Sequence, residues 1–154
     1  MAFRFSLQAL LRLRRSYEQR ERLRLLALAS AIARLRTLLE EISSEQQRIF
    51  QTQQESLVAG TSGAELHLLQ SSLVLQVEKQ KTLQEQIRRV EQQLDAQKLA
   101  YREAQKNRKI LENLRDRQLE IYELEQNRRE QQALDDLFNM RRAQSLGRTL
   151  LPGE

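Results

Sequence analysis

The stretch Ala59-Gly60-Thr61-Ser62-Gly63 decides the fold, because it holds two of the chain's four glycines and interrupts a sequence that otherwise favours helix. Glycine has no side-chain carbon to clash in the left-handed region of backbone space, so Gly60 is suited to ending one helix. Ser62-Gly63-Ala64-Glu65 then reads as a capping box that starts another. The Ser62 hydroxyl accepts an orphan backbone amide, and the Glu65 carboxylate returns to the amide of Ser62. The expectation is a first helix over residues 6–58, a hairpin turn at 59–63, a second helix over 62–146 and a flexible tail at 147–154.

Composition agrees with a fold that has little interior. The 154 residues include no tryptophan, and 5% are aromatic against 31% charged. The single proline, Pro152, falls in the tail, where it breaks no helix. Without cysteine, neither a disulfide nor a thiolate metal site is available. The apolar segment Leu23–Ile42 is interrupted by Arg24, Arg34, Arg36, Glu40 and Glu41, which bars it from spanning a bilayer, and a soluble protein is expected. Arg12, Arg14 and Arg15 lie where a signal peptide needs its apolar core, so Met1 is read as the mature terminus.

Both expected helices carry a heptad stripe. In the first, steps of four and three residues run from Leu7 and Leu11 through Arg14, Glu18, Glu21, Leu25, Leu28, Ile32, Leu35, Leu39 and Ile42 to Gln46, Ile49, Gln53 and Ser56. In the second they run from Leu66, Leu69 and Leu73 through Gln76, Gln80, Leu83, Ile87, Val90, Leu94 and Gln97 to Tyr101, Ala104, Arg108 and Leu111. Folding back at the turn makes the position numbers of facing residues sum to 122, which pairs Leu39 with Leu83, Leu35 with Ile87, Ile32 with Val90, Leu28 with Leu94, Leu11 with Leu111 and Gln46 with Gln76. Leu28, Ile32, Leu35, Leu39, Leu83, Ile87, Val90 and Leu94 form the expected coil core. The fold class is therefore all-α, a two-helix antiparallel coiled coil in a single elongated domain, residues 1–154. The second helix overhangs from Arg117, and its apolar residues Ile121, Leu124, Leu134, Leu137, Phe138 and Met140 have no mate in the chain.

Helix 1 is expected to begin at Ser6 as N-cap, with Phe5 stapled on Leu10. At this open end the register places Arg14 against Arg108, which has two readings: the arginines reach out to solvent and Glu18 answers them locally, or the end is left loose because something else surrounds it. Charge concentrates here too. Residues 1–36 carry nine arginines against Glu18 and Glu21, a balance of +7, whereas residues 37–100 stand at −3 and the remainder at +1. Such a patch suits nucleic acid, an anionic membrane or an acidic protein groove.

Catalytic chemistry is missing. Two helices offer no concave pocket in which to dry and orient reacting groups. The only histidine, His67, follows the turn and reads as a surface residue. The carboxylate pairs Glu40 with Glu41 and Asp135 with Asp136 are adjacent in sequence, hence splayed on a helix, and the chain has no glycine-rich phosphate loop. No enzyme, cofactor or metal is expected.

The opening Phe3-Arg4-Phe5-Ser6-Leu7, followed by Leu10-Leu11 and Arg14, resembles the bacterial flagellar export protein FliJ family. The closing pattern is similar to that family's C-terminus: Leu114-Arg115-Asp116-Arg117-Gln118, then Glu125-Gln126-Asn127-Arg128-Arg129-Glu130-Gln131, then Leu134-Asp135-Asp136-Leu137 ahead of Arg141. The resemblance covers nearly the whole chain. It implies a stalk like that of the rotary ATP synthases, whose terminal helices enter a hexameric export ATPase, promote its ring assembly and link it to the export gate's cytoplasmic domain. Carried onto this sequence, the ring-facing residues are Phe3, Phe5, Leu7, Arg12, Arg14 and Arg15 near the N-terminus. Arg117, Ile121, Leu124, Arg128, Leu134 and Phe138 complete them on the second helix. The gate-facing residues are Ile49, Phe50, Leu69 and Leu73, at a tip poorer in aromatics than the family pattern.

The resemblance further implies export chaperones as partners, a cytoplasmic location at the inner-membrane face, and membrane contact only through the export apparatus. The related stalks of virulence-type secretion share this architecture. Two other readings stand beside it. One is a nucleic-acid-binding or scaffold coiled coil that uses the arginine-rich first helix, although only Tyr17 offers stacking there; the other is a membrane-surface helix using Phe3, Phe5, Leu7, Leu10 and Leu11.

Overall fold

A computed structural model describes residues 2–150. The architecture is all-α, with α1 at Gln8–Ala59 and α2 at Gly63–Leu150, of 52 and 88 residues, packed as a helical hairpin; no strand occurs among the described residues. The turn follows the chemistry of its residues. Gly60 has φ 78°, the only positive value among the described residues. The Thr61 hydroxyl donates to the Ser56 carbonyl at 2.5 Å, which occupies one of the acceptors that the end of α1 leaves open. The Ser62 hydroxyl accepts from the Glu65 amide at 3.4 Å, and the Ser62 carbonyl accepts from Leu66 at 3.3 Å. Glu65 also places a carboxylate in the first turn of α2, where the helix dipole favours negative charge.

Both outer ends differ from the sequence expectation. The α-helix begins at Gln8 rather than Ser6, after a turn in which the Gln8 amide donates to the Phe5 carbonyl at 3.2 Å. Phe5 is buried on α2, which fixes the arm before the helix in a non-helical path instead of stapling it to Leu10. At the other end α2 continues through Gly147 to Leu150. Glycine costs a helix about 1 kcal/mol but stops it only by turning left-handed, and Gly147 does not. The tail residues 151–154, Pro152 included, lie outside the described residues.

Two compact units are distinguishable: residues 15–106, and the two terminal segments 1–14 with 107–154. In the unit of residues 15–106, every expected seam position is at least partly covered. Ile32 and Ile87 lie deepest, at 5% and 9% exposure, while Leu28, Leu35, Leu39, Leu83, Val90 and Leu94 are half-buried. The polar seam residues bond across the helices. Gln46 Nε2 donates to Gln80 Oε1 at 2.9 Å, and Gln97 Nε2 donates to the Glu21 carbonyl at 3.0 Å and to the Glu21 carboxylate. The expected register puts Gln76 opposite Gln46 and Tyr101 opposite Glu21. The observed partners lie four positions beyond the one and four short of the other, within reach of long amides. Arg36 and Glu91 add a cross-helix ion pair at 3.1 Å on the margin.

The terminal unit contains the expected layer of Leu11 with Leu111 and packs it more tightly than the middle of the coil. Its core is Phe5, Leu11 and Leu111 at 8%, 0% and 9% exposure, with Phe3 packed against them. Leu11 is the one fully buried large side chain among the described residues. The reading of a loose end is the one this overturns, since the segment holds the tightest contact. Two facing helices leave the flanks of a seam residue open, and at Leu11 the non-helical arm supplies a third wall. The arginine layer is also answered locally, because Arg108 bonds Glu112, one helical turn on, at 2.5 Å with both side chains largely covered.

Candidate partner-binding surfaces

In the terminal unit the expected ring-facing residues fall into two groups. Phe3 and Phe5 are turned onto the chain's own α2, with Phe5 buried and the Phe3 ring 5.6 Å from that of Tyr122 at 51°. Leu7 is 37% exposed, Arg12 is exposed and Arg14 is half-buried on the seam. Of the second group, Arg117 and Arg128 are exposed, as are Ile121, Leu124, Leu134 and Phe138 at 57% to 68%. Leu137 and Met140 join them at 54% and 64%. Arg15 lies exposed at the start of the other unit.

The overhang starts later than Arg117. Gln118, Leu119, Tyr122 and Gln126 are still partly covered, and only from residue 127 to 150 is every position exposed. Tyr122 is the residue that the sequence reading missed. It continues the stripe from Leu111 through Arg115 and Gln118, and it was overlooked because a helix starting at Ser6 ends opposite Asp116. A non-helical arm advances up to about 3.3 Å per residue against 1.5 Å for a helix, so the few residues before Gln8 reach further along α2.

At the turn end of residues 15–106, the gate candidates Ile49, Leu69 and Leu73 are half-buried seam residues, and only Phe50 presents a large area, 53% exposed. Phe50 borders a shallow groove with Gln46, Gln47, Leu73 and Val77. Leu57, Val58 and Leu68, at 59%, 91% and 68% exposure, are outward apolar residues near the turn that the heptad stripe could not single out, because they lie off it. Among the described residues, no cluster of histidine or carboxylate side chains is arranged to hold a metal ion, and no helix is long and apolar enough to cross a membrane.

Exposed apolar residues interleaved with arginines make a surface suited to contact with another protein. The family model described as "Flagellar FliJ protein" matches residues 3–147. The chain belongs to the FliJ family. The matched span takes in the Phe3–Phe5 arm, the hairpin turn and the exposed continuation of α2, so FliJ membership covers all the surfaces described above. Neither the curated proteins nor the solved structures compared with the chain give a match. FliJ membership makes this a protein of flagellar export.

Proposed function

We propose that this FliJ-family chain is the central stalk of a flagellar type III export apparatus. Its terminal unit inserts into a hexameric export ATPase and promotes ring assembly, and its turn end, around Phe50, meets the cytoplasmic domain of the export gate. Export chaperones are further partners, and the protein works in the cytoplasm at the inner-membrane face. The observation that carries the reading is the continuation of α2 over residues 127–150, about 36 Å of helix with no residue covered. Leu134, Leu137, Phe138 and Met140 recur there within two turns, a spacing that gathers them on one side for a partner to cover.

The test is ATP hydrolysis by the purified export ATPase, titrated with the intact chain and with a chain ending at Gln126. This truncation spares Tyr122 and its contact with Phe3, so the rest of the fold is retained, as circular dichroism will verify. The expected result is loss of stimulation by the truncated chain. Reversing charge at Arg12, Arg14 and Arg15 is expected to weaken stimulation as well. Full stimulation by the truncated chain would reduce the overhang to a solvated helix and remove the main support for the stalk reading.

A further inference from the structure

The segment Leu23-Arg24-Leu25-Leu26-Ala27-Leu28-Ala29-Ser30-Ala31-Ile32-Ala33 of α1 is apolar or small around its whole circumference, with Arg24 its one charge. A two-helix coil needs apolar residues on only one stripe, and here Leu25, Leu28 and Ile32 supply it. A helix that is apolar all round is normally covered all round. Yet Leu23 and Leu26 are 56% and 55% exposed, and Ala27, Ser30 and Ala33 are exposed beside them. The stalk contacts proposed above do not use this face.

Its borders indicate what covers it. The same face carries Arg20 at one end and Arg34 at the other, fourteen residues apart, about 21 Å along the helix. Leu23 and Ala27 lie in a shallow groove edged by Arg15, Arg20 and Arg24. Of the neighbouring carboxylates, Glu21 is shared between Gln97 in the seam and Arg24, its ion-pair partner at 3.2 Å, Glu18 is half-buried, and the next acid along α1 is Glu40, so Arg20 and Arg34 are the charges left at the two ends of the face. The result is an apolar strip of three to four turns with basic ends. Alanine and serine at its centre allow a third helix to approach within about 8–10 Å.

We infer that this outer face of α1, from Arg20 to Arg34, is a docking surface for an acidic amphipathic helix of a partner protein. The partner's apolar residues sit on Leu23, Leu26 and Ala27, and its carboxylates meet Arg20 and Arg34. A second copy of this chain fits less well, since apposing the same face would set arginine against arginine.

The test uses the full chain and three labelled helical peptides of about 21 residues, read by fluorescence anisotropy. One has a leucine stripe flanked by glutamates, one replaces those glutamates with lysine, and one scrambles the stripe at constant composition. Saturable binding of the glutamate peptide alone is expected. It should weaken about tenfold or more for the double variant Leu23→Gln with Leu26→Gln, and likewise for Arg20→Glu with Arg34→Glu. These positions are exposed, so circular dichroism should be unchanged. Absence of binding, equal binding of the lysine peptide, or unchanged affinity in both variants would overturn the inference. So would displacement of the peptide by a single-stranded RNA oligonucleotide at equal concentration, or sedimentation showing that the chain dimerises through this face.

Discussion

Replacing Leu11 with alanine tests the location of the tightest packing directly. Leu11 is fully buried between Phe5 and Leu111, whereas Leu35 in the middle of the hairpin keeps part of its surface in water. Removing a fully buried leucine side chain beyond its β-carbon forfeits about 2 kcal/mol of transfer free energy, and the cavity left behind brings the cost to about 3 kcal/mol. At Leu35 the partial exposure scales the transfer loss down and lets water occupy the gap, for roughly 1–1.5 kcal/mol. Unfolding of the ends need not be coupled to unfolding of the middle, so the assay is native-state hydrogen exchange with urea unfolding alongside it. Leu11→Ala should lower protection around residues 8–14 and 107–122 by about a hundredfold, the equivalent of 3 kcal/mol. Leu35→Ala should lower protection less, and around its own position. If Leu35→Ala proves the more damaging, the third wall provided by the arm contributes nothing, and the tighter packing lies in the expected coil core.

Cysteines replacing Leu35 and Ile87 should crosslink within one chain under mild oxidation, whereas Leu35 with Leu94, about 10 Å out of step, should not; preference for the second pair would refute the register. Gly60→Ala should cost about 1–2 kcal/mol in a thermal melt, because its φ of 78° strains any side chain, while Gly147→Ala should raise helix content, since nothing lies within 4 Å of the added carbon. Phe5→Ala should release the arm, speed proteolytic cleavage ahead of Gln8 and reduce ATPase stimulation, although the exposed residues 127–150 are untouched; unaltered cleavage would show that Phe5 does not hold the arm.

The fold was legible because its determinants are local and periodic. Gly60 and Ser62 each perform the role that their chemistry suggests, and the heptad stripe identifies the covered positions along both helices, with Leu7 the exception at 37% exposure. The ends were less legible because no periodicity governs them. The non-helical path of Phe3 to Leu7 depends on a tertiary contact with α2, and the passage of α2 through Gly147 depends on a backbone choice that glycine leaves open. Glu112 as the partner of Arg108 was readable from its spacing of four, but the sequence reading looked to Glu18 for the local carboxylate. The surfaces show the same division. Exposed apolar residues on the overhang could be named in advance, whereas the half-burial of Ile49, Leu69 and Leu73 follows from the very stripe that nominated them.

The burial of Phe5 and the exposure of residues 127–150 are two parts of one arrangement. An isolated helix of that length, rich in charge and sparse in apolar contacts, is marginal in water because its first turn is costly to nucleate. Continuing an existing helix avoids that cost. The cluster of Phe5, Leu11 and Leu111, extended by Phe3 on Tyr122, fixes α2 up to the point where the exposed residues begin. The overhang is thereby propagated from an ordered base, and a partner that closes on Leu134 and Phe138 meets residues already helical, with less chain entropy to remove on binding. On this account the arm contributes to the proposed association without touching the partner, so Phe3 and Phe5 bear on the proposed ring contact even though both face inward.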